Sequence, residues 1–490
     1  MSRVTIYRGT QKNEYGFNGG DNLLEFLRSK GFDISAPCGG HGLCGKCKVK
    51  IVRGDEIIEC CACETRLTED CQVFLPEPES EIFWNGTVTS FASDASLQGL
   101  GAAVDLGTTT VAVSLYELAS GREIGSLSRW NAQRSYGADV ISRIGHCMDN
   151  PEGLKRLGDL IRGQITGMIS ELCAAHGRSM AEVTCCILAG NTVMEHIFAG
   201  ISPESIAAAP YLPESYFEHG EKFSAGGLEF RLSPCVAGYV GGDITAGLLA
   251  CDISRLDGTA LFIDVGTNGE IVLGNKDGYY CCAVASGPAF EGAGISCGMP
   301  AADGAIYAVE LSGDEPVFKV IGGGEAKGIC GSGILDVAAV LLELGYIDES
   351  GCLENDDGDD VYYLTDDVYV NQRDIRQLQL AKAALSAGIT RLTELSGIDT
   401  DVISAVYLAG GFGTWLNSES AVRIGMLPEG TANKVKPLGN TSLAGAAMAM
   451  LQPAEQEKLQ EIKQKCRYLE LSSDKRFNEL FVEAMAFPEM

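Results

Sequence analysis

The sequence predicts a multi-domain α/β protein with a duplicated core, and three observations carry that expectation. Val104–Tyr116, VDLGTTTVAVSLY, is an apolar run, a glycine turn rich in threonine, and a second apolar run. A near copy, FIDVGTNGEIVL, returns at Phe262–Leu273, with Asp264 standing 159 residues after Asp105. Leu-Ala-Gly follows each Asp-x-Gly-Thr unit, 83 residues on at 188–190 and 144 residues on at 408–410. A chain of 490 residues also exceeds what one hydrophobic core organises, so about three domains are expected.

In chain order, residues 3–8 and the run near Tyr15–Phe17 read as a hairpin. Asn22–Lys30 reads as a short helix, with Asn22 and Glu25 at capping-box spacing and Gly31 as its stop. PCGGHGLCGKCKVKIVRG then sets Cys38, Cys44 and Cys47 in a C-x5-C-x2-C spacing within a glycine-rich turn, followed by a strand over 48–53. Three thiolates wound into one such turn favour an iron–sulfur cluster, because the glycines let backbone amides face the inorganic sulfides. Structural zinc is the competing reading, although zinc ribbons usually show two separated C-x2-C knuckles. A strand over 71–75 closes this first domain, residues 1–76, and PEPESE opens a stiff polar linker over 77–101.

The first lobe of the core is expected over 102–258 and the second, with a helical tail, over 259–490. In each lobe the carboxylate at the strand end, Asp105 or Asp264, is suited to hold Mg²⁺ through water. The turn residues Gly107, Thr108, Thr109 and Thr110, and Gly266, Thr267, Asn268 and Gly269, are suited to cradle phosphate oxygens. Gly410 and Gly411 let a nucleoside approach the backbone, with Phe412 as a packing surface. Glycine turns enter helices at 238–250 and 328–345, and 285–300, punctuated by glycine and proline, reads as irregular. Of these, Gly331, Ser332 and Gly333 are candidate nucleotide contacts, Ser286–Glu291 is a candidate partner or cofactor contact, and Asp243 lies near a helix N-terminus.

Composition bounds the function. Against 37 Lys and Arg stand 66 Asp and Glu, a net charge of −29, which disfavours nucleic acid as a partner. No run reaches the roughly 18–20 apolar residues that span a bilayer, and the N-terminus lacks a secretory h-region, so no membrane association and a cytoplasmic location are expected. The 19 cysteines fit a reducing compartment, with Cys185–Cys186 and Cys281–Cys282 as small core residues.

The cysteine spacing resembles that of [2Fe–2S] ferredoxins, which implies a β-grasp domain. CCACETR resembles their Ala-Cys-Gln-Thr-Arg element, which selects Cys63 as fourth ligand, with Cys61 as the alternative. The two Asp-x-Gly-Thr loops and the Leu-Ala-Gly-Gly strand resemble the two-lobed ATPase core of actin, Hsp70 and sugar kinases. Their combination, with the FNELFVEAMAF tail, resembles the reductive activators of corrinoid proteins. That resemblance implies a [2Fe–2S] cluster, ATP and Mg²⁺. It implies a low-potential electron donor and a corrinoid protein of a methyltransferase system as partners, with a homodimer open to it. The implied activity is ATP-dependent transfer of one electron to Co(II), regenerating Co(I) for methyl transfer. Two alternatives remain: an activator of another radical or low-potential enzyme, and a redox-sensing ATP-binding regulator. Because the first phosphate loop arrives at Asp105, the chain is expected to be a compact member lacking the family's middle domain.

Overall fold

The computed structural model describes the chain apart from residues 1, 10, 18, 33, 35, 37–39, 41, 43–46, 54–55, 77–91, 219, 267, 314 and 490. Cys38, Cys44, Thr267 and most of the expected linker therefore lie outside the described residues.

Alternating apolar residues build the first sheet. Strands β1 (Ser2–Arg8), β2 (Gln11–Phe17), β3 (Lys48–Arg53), β4 (Glu56–Cys61) and β5 (Cys71–Phe74) order as β2-β1-β5-β3-β4. Val4, Ile6, Val49, Ile51 and Val73 form one buried face, against which helix α1 (Leu23–Ser29) sets Leu23, Leu24 and Leu27. Asn22 caps α1 by accepting from the Glu25 N–H at 3.2 Å, and it also donates to the Cys63 carbonyl at 2.7 Å.

The next sheet orders as β10-β11-β9-β6-β7-β8. Its strands are β6 (Leu100–Leu106), β7 (Thr110–Glu117), β8 (Arg122–Trp130), β9 (Val183–Gly190), β10 (Lys222–Ala225) and β11 (Leu228–Leu232). Helices α2 (Val140–Asp149), α3 (Gly153–Ala175), α4 (Thr192–Ala199) and α5 (Gly242–Ala250) accompany it. Residues 92–99, expected to be linker, are fastened to this body: Ser93 Oγ donates to the Leu118 carbonyl, and the Asp94 N–H donates to the Leu451 carbonyl at 3.0 Å.

The third sheet orders as β21-β20-β12-β13-β14-β22. It comprises β12 (Thr259–Val265), β13 (Gly269–Asn275), β14 (Gly278–Val284), β20 (Ile403–Ala409), β21 (Val435–Gly439) and β22 (Cys466–Tyr468). An inserted three-stranded sheet, β15 (Ala305–Ser312), β16 (Glu315–Val320) and β17 (Gly328–Ile329), and a ribbon, β18 (Val361–Tyr363) and β19 (Tyr369–Asn371), explain why the second Leu-Ala-Gly arrives later. Helices α6 (Gly331–Glu343), α7 (Gln372–Ser396), α8 (Ser418–Arg423), α9 (Thr441–Leu451), α10 (Pro453–Lys465) and α11 (Lys475–Glu483) complete it. The tail, expected to be helical, contributes β22 as an edge strand parallel to β14, where a residue run too short for periodicity completes the sheet.

The duplication is visible in register. Asp105 stands opposite Ala189 in the parallel pair β6–β9, and Asp264 stands opposite Ala409 in β12–β20. Both Leu-Ala-Gly segments thus run beside the Asp-x-Gly-Thr strand of their own lobe. Helices α5 and α9 pack across the lobes at backbone contact: a Cβ on Gly445 would overlap the Ala246 carbonyl, and one on Gly247 would lie 2.9 Å from Thr441 Oγ1. Cys186, Cys281 and Cys282 are buried core residues, as their apolar neighbours suggest.

Candidate nucleotide cleft and cluster site

The first turn is fixed by donors from three separate elements. Asn131 Nδ2 donates to the Gly107 carbonyl at 2.8 Å, and the Asn131 N–H donates to the Thr109 carbonyl at 2.8 Å. Arg143 Nη2, from α2, donates to the Thr108 carbonyl at 2.6 Å. Asn191 Nδ2, at the cap of α4, donates to Thr108 Oγ1 at 2.9 Å. Thr109 and Thr110 follow within the same half-buried turn. Arg143 is fully buried, which pushes its guanidinium down to about 9. Sequence reading missed Asn131, Arg143 and Asn191 because each acts from an element remote in sequence.

Four carboxylates from both lobes lie near enough to repel one another. Asp105 accepts from Asn440 Nδ2 and from Ser442 Oγ, each at 2.7 Å, at the start of α9. Burial nevertheless raises its pKa above the ordinary carboxylate value, the two donors only opposing that rise. Asp264, at the end of β12, is pushed up to about 7 by burial and then by the Asp105 charge. Asp243, in the first turn of α5, is pushed up to about 8 by burial, then by Asp264 and Asp105. Glu270, on β13, is raised well above the usual range by burial, then by Asp243 and Asp264. Mutual repulsion of this kind calls for a cation. Among the described residues, no three acidic, thiol or imidazole groups come together as a direct metal-ligand set. Asn440 and Ser442 carry no motif; Glu270 lies within FIDVGTNGEIVL without being singled out there, and Asp243 is signalled by its glycine turn.

The second turn is held differently. The Gly266 N–H donates to the Asn268 carbonyl at 2.9 Å, and Ser286 Oγ donates to the Gly266 carbonyl at 3.1 Å. Gly269 opens β13 opposite Val265. Gly410 has φ +84°, and a Cβ there would lie 2.9 Å from Asp264 Oδ1, so the end of β20 abuts the carboxylate. Gly411 is exposed beside it.

Two expectations change. Phe412 is 9% exposed and its ring centroid lies 4.7 Å from that of Phe290, so its face is taken up by the core of the second lobe. A Cβ on Gly331 would overlap the Phe290 carbonyl, and one on Gly333 the Ile306 carbonyl, while Ser332 Oγ donates to the Tyr307 carbonyl at 2.8 Å. Close helix packing accounts for these three residues without a nucleotide.

In the first domain, Cys47 Sγ and Cys63 Sγ lie 3.2 Å apart. The Ala62 N–H donates to the Cys47 carbonyl at 2.8 Å, and the Cβ position of Gly40 is 3.9 Å from Cys63 Cβ. Cys47, at the end of the cysteine turn, and Cys63, in CCACETR, therefore stand side by side, two thiols of the chemistry an iron–sulfur cluster takes. Cys61 is also close to Cys47; burial, then the charge of Cys47, raises its thiol pKa.

Comparison with known proteins follows this division. Residues 8–75 match the 2Fe-2S iron-sulfur cluster binding domain, 100–256 the "RACo middle region", and 258–490 the "C-terminal domain of RACo the ASKHA domain". The chain is 32% identical over 416 residues to the corrinoid activation enzyme RamQ of Eubacterium limosum, covering 78% of this chain and 69% of that one. The chain belongs to the family of reductive activators of corrinoid proteins. A solved relative, the reductive activator for corrinoid,iron-sulfur protein, superposes with a TM-score of 0.72 at 30% identity, covering 100% of this chain and 99% of that one. The [Co(II) methylated amine-specific corrinoid protein] reductase of Methanosarcina barkeri is 29% identical over 292 residues, 55% of this chain and 53% of that one.

One expectation is overturned. This activator does not lack the family's middle region, because 100–256 is that region. The segment expected as the first lobe and the middle region are thus one and the same, and its sheet carries the Asp105 turn beside a Leu-Ala-Gly strand, as the third sheet carries the Asp264 turn. Among the described residues, no helix is long and apolar enough to cross a membrane.

Proposed function

We propose that this protein reduces the Co(II) of a corrinoid protein to Co(I) in an ATP-dependent step, working in the cytoplasm with a low-potential electron donor. The observation that carries this reading is the matching placement of Asp105 and Asp264, each on a strand leading into an Asp-x-Gly-Thr turn and opposite an alanine of a Leu-Ala-Gly strand, in a chain that also carries a ferredoxin domain. Domain bounds at 76, 101 and 258 fit that division of labour.

Cys38, Cys44, Cys47 and Cys63 would hold a [2Fe–2S] cluster, which when bound supplies one-electron transfer. Carbonyls of the first turn are taken by Asn131 and Arg143, which leaves its N–H side for phosphate oxygens. Thr108–Thr110 and Thr267–Gly269 would bind the phosphates, with Gly410 and Gly411 against the nucleoside. Asp105 and Asp264 would position Mg²⁺ through water, since Mg²⁺ retains much of its hydration and completes its shell with phosphate. Lobe closure on the nucleotide can favour electron transfer only through different affinities for the partner's two states. Each tenfold difference in affinity offsets about 59 mV, or about 1.4 kcal/mol, for one electron.

Asp264→Ala tests the reading. It should abolish ATP-dependent appearance of the Co(I) absorbance band with a corrinoid protein under anaerobic conditions, while leaving the iron–sulfur spectrum intact. Co(I) formation at the wild-type rate without ATP would overturn it.

A further inference from the structure

Among the described residues, a cation–aromatic contact joins the ferredoxin domain to the middle region. The Arg28 guanidinium, on α1, lies 4.5 Å from the centroid of the Tyr136 ring. The Arg156 guanidinium approaches the same ring at 5.3 Å, and the His146 ring lies 5.0 Å away. Arg28 is 8% exposed, and its Nη1 donates to Glu25 Oε1 at 2.5 Å. Its Nε and Nη2 are buried without a hydrogen-bond partner among the described residues. Two unsatisfied donors and a second guanidinium on one ring make this contact costly to hold, a property of a joint that opens. Arg28 also borders the cysteine turn, since the Cβ position of Gly40 is 3.9 Å from its Nη1.

The far side of the joint leads to the first phosphate turn. Gly137, next to Tyr136, gives its carbonyl to Arg143 Nε at 3.1 Å. The same guanidinium reaches the Thr108 carbonyl at 2.6 Å and Met194 Sδ at 3.0 Å. Arg143 is therefore shared between the turn that faces the cleft and the segment that carries the ferredoxin domain. Being fully buried, it cannot replace a lost acceptor with bulk water.

We propose that nucleotide bound at the first phosphate turn releases the ferredoxin domain from Tyr136, with Arg143 as the positioning residue that links the two. Phosphate drawing Thr108 toward the cleft takes its carbonyl away from Arg143. The guanidinium then shifts with Gly137, and the Tyr136 ring no longer seats Arg28. The inference rests on the nucleotide reading above, and by linkage it is reciprocal: whatever undocks the domain tightens nucleotide binding by the factor that nucleotide favours release.

The test uses the full chain with its cluster reconstituted and Mg²⁺ with a non-hydrolysable ATP analogue. Small-angle scattering and hydrogen exchange should show a larger radius of gyration and lost protection over 23–29 and 136–149 when the analogue is added. Tyr136→Leu should show both without nucleotide and should bind the analogue on the order of fivefold more tightly, within the usual range of such couplings. Tyr136→Phe, which keeps the ring, should behave as wild type. Unchanged or more compact scattering with bound analogue overturns the linkage alone, as does Tyr136→Leu with unaltered affinity. An absence of analogue binding overturns both this inference and the nucleotide reading. The variant leaves the ferredoxin domain untouched, so an intact iron–sulfur spectrum separates release from damage.

Discussion

Asn440 donates its side-chain amide to the Asp105 carboxylate at 2.7 Å across 335 residues of sequence. The residue that caps α9 in one lobe therefore completes the carboxylate of the other, and Ser442 repeats the link from the first turn of the same helix. Ser442→Ala removes one charge-assisted hydrogen bond without disturbing the cap. We expect a loss of about 1.5–3 kcal/mol in stability and weaker nucleotide binding, read by thermal unfolding and titration. Unaltered stability and affinity would show that the link between lobes is incidental.

The cleft carboxylates set a pH dependence. Asp264 and Asp243 have pKa values raised to about 7 and about 8, so at these two sites the folded protein binds more protons than the unfolded chain between about pH 4 and pH 8. Stability should therefore fall as pH rises through that window. Mg²⁺ with nucleotide should flatten the slope by neutralising the ionised cluster. Unfolding midpoints measured at pH 5.5, 7 and 8.5, with and without Mg²⁺-nucleotide, check both signs.

Cys63→Ser should prevent assembly of the [2Fe–2S] cluster, whereas Cys61→Ser should retain its visible absorbance. The basis is the 3.2 Å approach of the Cys47 and Cys63 sulfurs. A normal spectrum from Cys63→Ser would reassign the fourth ligand.

The C-terminus is anchored by a buried cation. Lys382, on α7, donates through Nζ to the Ala486 carbonyl and lies 4.9 Å from the centroid of the Phe487 ring; burial pushes its pKa down to about 8. Gln379 Nε2 donates to the Met485 carbonyl at 2.7 Å. Deleting the residues beyond Ala484 leaves Lys382 without these partners and uncovers apolar surface. The expected cost is about 3–6 kcal/mol, from one charged hydrogen bond and one buried aromatic side chain. Adding Lys382→Met to the truncation should recover part of it, measured as unfolding midpoint.

The duplicated architecture was legible because it repeats in short, local signals: an apolar run, an aspartate and a glycine turn recur in both halves. Asn22, Asp105, Asp264 and the Leu-Ala-Gly strands stand where such signals put them. What was not legible depends on distance. Arg143 acts on the first turn and Asn440 on the Asp105 carboxylate, each from a remote element, and no spacing in the sequence shows that. Gly331 and Gly333 also pack a tight helix start, and Phe412 a core, contacts that no local spacing shows. The middle region was missed as such for a related reason. Its local pattern is that of an ATPase lobe, and only whole-chain comparison identifies the segment it belongs to.

Helices α5 and α9 touch with no side chain between Gly445 and the Ala246 carbonyl. Neither helix can slide inward, and drawing them apart would open a void, so the cheapest relative motion of the two lobes is rotation about this contact. Asp243 and Asn440 sit at the starts of those helices, close to the axis, and would move little in such a rotation. The outer faces of the lobes would travel farthest. Small adjustments at this fulcrum would thus become large displacements at the outer surfaces.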